Sequence, residues 1–111
     1  MNVTTRIRVM TDYGCHPIWL YDDGLLQDNV SPEQIGVSSD LAERLRGWAA
    51  RYDAILNRSD PGSTSWSSEA DERSFVATGQ RLAQAVADEL DERVTYFRDG
   101  SNTVVDPRGQ G

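Results

Sequence analysis

The sequence predicts a two-layer α+β domain in the order β-β-α-α-β, a three-stranded sheet with two antiparallel helices on one face. Three observations predict it. Residues 3–10 alternate apolar and polar side chains, the period of a half-buried strand. Residues 40–56 carry Leu41, Leu45, Trp48, Tyr52 and Ile55, one apolar stripe at helical spacing. Residues 68–92 repeat that pattern with Phe75, Gly79, Leu82, Val86 and Leu90.

Taken in order, Val3, Thr5, Ile7 and Val9 share the core face of the first strand, and Arg6, Arg8 and Met10 the other. Thr11-Asp12-Tyr13-Gly14 then turns the chain. Pro17 to Tyr21 forms a second strand, which the proline suits at its first position. Asp22 to Ser39, rich in Asp, Asn, Ser and Gly, reads as a long ordered connection held to the core by Leu25, Leu26, Val30, Ile35 and Val37. Ser31-Pro32 can open a single helical turn within it. Ser39 or Asp40 caps the first helix, and Pro61 lies beyond its end. Ser67 or Ser68 caps the second, whose Glu69, Asp71 and Glu72 suit the positive end of the helix dipole. Arg93 to Arg98 is the third strand, beside a central first strand. The domain covers residues 1–98, and 99–111 reads as a flexible tail.

Composition narrows the function classes. The 111 residues include 11 basic and 18 acidic side chains, a net charge of −7. Nucleic-acid binding draws its affinity from clustered Lys and Arg, so this balance argues against DNA or RNA and against anionic membranes. It suits a basic protein partner, since complementary charge speeds encounter. Every basic residue is arginine, which points to a GC-rich coding sequence. Cys15 is the only cysteine, so no internal disulfide forms. Arg6 and Arg8 interrupt the N-terminal stretch and no apolar run follows, so no secretory signal is read. The expected location is cytoplasmic.

The residues that could carry chemistry cluster at Tyr13-Gly14-Cys15-His16-Pro17-Ile18-Trp19. A cysteine beside a histidine can supply a thiolate nucleophile or soft metal ligands. Neighbours on a strand point apart, however, and a metal needs further ligands, so neither a catalytic set nor a metal or other cofactor is assigned. Asp22-Asp23-Gly24 and Asp28-Asn29 miss the calcium-loop register and read as turn chemistry. Asp53, Asn57 and Asp60 gather at the end of the first helix, where they order a loop or offer a carboxylate pair. Trp66, alone in a polar loop, either docks on the domain or meets a partner. Asp88-Glu89-Leu90-Asp91-Glu92 is a solvated run or an acidic patch for a basic partner. The candidate ligand- or partner-binding residues are therefore Tyr13, Cys15, His16, Trp19, Asp53, Asn57, Asp60 and Trp66.

The 13–19 segment, together with Trp48-Ala49, Tyr52-Asp53-Ala54, Leu56-Asn57 and Asp60-Pro61, resembles a group of small acidic actinobacterial proteins of unknown function, over residues 6–98. That resemblance implies a source and no catalytic residue. The reading that fits best is a non-catalytic protein-interaction module, for example an immunity- or antitoxin-like inhibitor of a basic toxin. The alternative is a small enzyme or ligand-binding domain with a pocket between Cys15, His16 and the 57–67 loop. A homodimer through the exposed sheet face or an edge strand is a third reading.

Overall fold

A computed structural model describes residues 5–56 and 66–108. The expected two-helix α+β architecture is present, but its sheet has five strands rather than three, in the order β3-β2-β1-β4-β5. They are β1 (Ile7–Val9), β2 (Ile18–Asp22), β3 (Leu25–Val30), β4 (Val94–Arg98) and β5 (Ser101–Val105). Between β3 and β4 run a 3₁₀ turn (Pro32–Ile35) and the helices α1 (Ser39–Ala54) and α2 (Glu69–Leu90). β1 is central. It pairs antiparallel with β2 and parallel with β4, a pairing that needs the long crossover the helices supply.

The two extra strands arise from one device used twice. Asp23 and Gly24 have φ of 52° and 81°, and Asp99 and Gly100 have φ of 50° and 79°. Positive φ at both central residues is what a two-residue type I′ hairpin turn requires, and Asp-Gly supplies it at low cost. The first turn folds β3 onto β2; the second folds β5 onto β4. Residues 25–30 are thus a strand, not part of an irregular connection, and residues 101–105 pair along all of β4. Leu25 and Leu26 do not hold this segment to the core: they are 69% and 53% exposed on the edge strand. Val30, Ile35 and Val37 are buried as expected.

The helices cover one sheet face. Ile7, Val9, Ile18, Val94 and Tyr96 from the sheet are buried with Leu41, Leu45 and Trp48 of α1 and Phe75, Leu82, Ala83 and Val86 of α2. Ser38, one residue earlier than expected, caps α1 by accepting from the Leu41 amide; Ser68 caps α2 by accepting from the Asp71 amide. Gly79 lets α2 approach closely, because a Cβ there would come within 2.8 Å of the Tyr96 ring and closer still to Trp48.

Candidate interaction surface

The β1–β2 turn holds three of the eight sequence candidates, Tyr13, Cys15 and His16, and three side chains from other elements order it. Asp53, near the end of α1, accepts from the Gly14 amide at 3.1 Å. Asn29 of β3 accepts from the His16 amide and donates to the carbonyls of His16 and Ile18. The Trp19 indole donates to the Met10 carbonyl at 3.0 Å. Tyr13 stacks on Tyr52 of α1, with ring centroids 4.5 Å apart, and Tyr52 stacks in turn on Phe75. Phe75 also meets Trp48 at 5.0 Å and Trp66 at 4.7 Å. The turn therefore continues into an aromatic stack that crosses both helices, where each such pair adds about 0.5–1.5 kcal/mol beyond area burial. Burial, with the Tyr13 hydroxyl beside it, pushes the Tyr52 phenol up to about 12.

Tyr13, Cys15 and Asp53 come together here, with the exposed His16 at the rim. Trp19 shares the turn through its indole bond, but its register position places it on the sheet face away from the helices. Trp66 is half-buried against Phe75, so it docks on the domain. Asn57 and Asp60 lie outside the described residues. Cys15 donates weakly to the Tyr13 carbonyl, and burial with the nearby Asp12 and Asp53 carboxylates raises its thiol pKa. That is the opposite of what a thiolate nucleophile needs. A cleft of about 100 Å³ opens where β1 and β4 end, lined by Met10, Thr11, Trp48, Tyr52, Tyr96 and Arg98 among others. It takes in neither Cys15 nor His16. Among the described residues, no group of three or more His, Cys, Asp or Glu is placed to hold a metal ion.

The sheet face away from the helices presents a second constellation, one the sequence candidates do not include apart from Trp19. Pairing register places Leu26, Tyr21, Arg8, Thr95, Phe97 and Val104 across it from edge to edge. The Arg8 guanidinium sits 4.3 Å from the centre of the Tyr21 ring and 5.0 Å from that of Phe97. The alternation in residues 3–10 already puts Arg8 on this face. Its ring neighbours follow only once β2 and β4 are known to flank β1.

Charge is distributed unevenly. Arg6, Arg46, Arg93, Arg98 and Arg108 pair with Glu92, Glu33, Asp106, Glu72 and Asp88. Asp12, Asp22, Asp23, Asp28 and Asp53, by contrast, meet no arginine among the described residues; they border the β1–β2 turn and the β2–β3 hairpin. No helix of the described residues is long and apolar enough to cross a membrane.

Comparison with known proteins adds a family. Residues 5–99 match the family model described as Serratia CdiI immunity protein-like. No curated protein matches the chain.

Proposed function

The chain belongs to the Serratia CdiI immunity protein-like family and is an immunity-type protein-interaction module; we propose that it neutralises a basic toxin by stoichiometric binding. The toxin is met by the end of the domain where the β1–β2 turn and the edge strand β3 lie. Asp12, Asp22, Asp23 and Asp28 provide the negative field there, and Tyr13, His16 and Trp19 provide contact area. The observation that carries this reading is the group of carboxylates along the β1–β2–β3 margin that no arginine of the described residues neutralises. Elsewhere seven described arginines pair with carboxylates. Among the described residues Glu43, Asp71, Glu89 and Asp91 also meet no arginine, but they lie apart from one another or at the acidic end of α2, away from this margin. A field left uncompensated inside the molecule is available to a cationic partner. The arrangement is also pre-ordered, since Asp53, Asn29 and Trp19 already hold the turn, so less ordering is needed on binding.

The test is capture of the tagged full chain from its native host, followed by expression of the captured protein in a sensitive cell with and without this chain. The expected result is a complex of fixed stoichiometry, weakened by added salt, with a protein whose growth arrest this chain relieves. Capture of a protein that is harmless, or whose toxicity persists when the chain is co-expressed, overturns the reading.

A further inference from the structure

Among the described residues Arg8 has no polar partner, whereas every other described arginine has one. Arg6, Arg44, Arg46, Arg73, Arg93, Arg98 and Arg108 pair with carboxylates. Arg51 and Arg81 reach hydroxyls. Arg8 reaches none, although the chain carries seven net negative charges. Its Nε is buried without a hydrogen-bond acceptor. The side chain projects from the middle strand of the sheet, clamped between Tyr21 of β2 and Phe97 of β4.

The surroundings are those of an interface centre. The band across the open face runs from Leu26, 53% exposed on one edge strand, to Val104, 44% exposed on the other. Between them lie the half-buried rings of Tyr21, Trp19 and Phe97. Trp19 is fixed by its bond to the Met10 carbonyl. Trp, Tyr and Arg are the residue types that dominate binding energy when they sit at the middle of a contact. A guanidinium already oriented by two rings loses little freedom on binding, and its planar fork matches a carboxylate with two parallel N–H donors. No carboxylate within the described chain takes this position.

We propose that the toxin's contact continues from the β1–β2–β3 margin onto the open sheet face and that Arg8 there receives one carboxylate from the toxin, the rest of the toxin's contact being cationic. This rests on the immunity reading above and extends its contact from the β1–β2–β3 margin, through Trp19, across the adjoining open face to Arg8. The carboxylate is that of an Asp or Glu side chain or of the toxin's C-terminus.

The experiment has two arms, both on the full chain. In the first, the Arg8 Nε–H resonance is followed by NMR in sodium acetate and in sodium chloride at matched ionic strength. A saturating shift in acetate alone, absent from Arg8→Met, is expected; an equal response to both salts overturns the proposal. In the second, the captured toxin is titrated against wild type, Arg8→Lys and Arg8→Met. Arg8→Met is expected to weaken binding about 30-fold or more, with Arg8→Lys recovering only part of it. Among the described residues Arg8 is held only by the Tyr21 and Phe97 rings, and Lys or Met keeps an unbranched side chain between them. Thermal unfolding of each variant should therefore stay near wild type, and it separates lost contact from lost fold. Toxin binding by folded Arg8→Met within threefold of wild type overturns the inference while leaving the immunity reading intact. If the wild-type chain binds no toxin, the reading and the docking surface both fall, whatever acetate does. Amidating the toxin's C-terminus then separates the two carboxylate sources: loss of binding assigns the terminus, and retention assigns a side chain.

Discussion

Two helical glycines should respond to the same substitution with opposite sign. Alanine at an ordinary interior helix position gains about 1 kcal/mol over glycine. Gly47 of α1 is exposed and a Cβ there meets nothing within 4 Å, so Gly47→Ala should raise stability by about 0.5–1 kcal/mol. Gly79 of α2 faces the aromatic stack instead. A Cβ there comes to 2.8 Å from both Cε1 and Oη of Tyr96, and nearer to Trp48. Neither ring can retreat easily, since Trp48 is 2% and Tyr96 4% exposed, and the Trp48 indole is held by the Phe75 carbonyl. Overpacking of this kind costs about 1–3 kcal/mol, and contacts on two fixed rings belong at the upper end. After the helix gain, Gly79→Ala should lose about 1–2 kcal/mol, lowering Tm by about 4–8 °C in a domain of this size. Thermal unfolding followed by circular dichroism reads both variants, with the near-ultraviolet band reporting the Trp48 environment. If Gly79→Ala melts at or above wild type, the close approach of α2 to the stack is wrong.

Other outcomes follow from the turn and the charges. Asn29→Ala removes three hydrogen bonds to the β1–β2 turn and should cost about 1–3 kcal/mol; faster amide exchange at His16 is the local readout, and unchanged protection there would contradict the tether. The Tyr52 phenol, pushed up to about 12, should ionise well above an ordinary tyrosine in an ultraviolet titration. The folded state then holds a proton that the unfolded state releases near pH 10, so its contribution is complete below about pH 10 and declines as pH rises toward 12. Asp88, lowered to about 2 by hydrogen bonds from the Arg108 amide and guanidinium, behaves oppositely: its contribution is present above about pH 4 and is lost as pH falls through 2. Arg108→Ala removes the guanidinium and keeps the residue-108 amide, the larger cause, so the Asp88 carboxyl pKa should rise but stay below its ordinary value, read by NMR titration. Alkylation of Cys15 should accelerate only at a pH above that of an ordinary thiol; half-maximal rate below it would restore the nucleophile reading.

What the sequence showed clearly was periodicity. The stripes of α1 and α2, the alternation of β1 and the inward Val94 and Tyr96 all lie where the spacing puts them. The sheet was undercounted because β3 and β5 are edge strands. Leu-Leu-Gln-Asp-Asn-Val and Ser-Asn-Thr-Val-Val have weak strand preference, and an edge strand needs only one partner and tolerates polar residues. The stronger signals were the dipeptides Asp23-Gly24 and Asp99-Gly100. Each follows a strand directly, where a type I′ turn all but requires a returning strand. Turn chemistry was legible at both dipeptides; what was missing was the returning strand that a type I′ turn implies, with the first placed in a long connection and the second at the start of a tail.

The site was less legible for a different reason. Tyr13, Cys15 and His16 stand out because they are rare residues close together, and rarity is visible in one dimension. Arg8 is one of 11 basic residues, and nothing local distinguishes it from Arg6 two positions earlier. Yet Arg6 reaches Glu92 with a bidentate pair, whereas Arg8 is held by rings from a neighbouring hairpin and from a strand near the other end of the chain. Parallel pairing of β1 with β4 makes this difference, because it sets Phe97 beside Arg8 on the face the helices leave open. Among the described arginines the others find partners within the fold, and Arg8 is set apart only by the partner it lacks there, a property of the assembled sheet that no stretch of sequence displays.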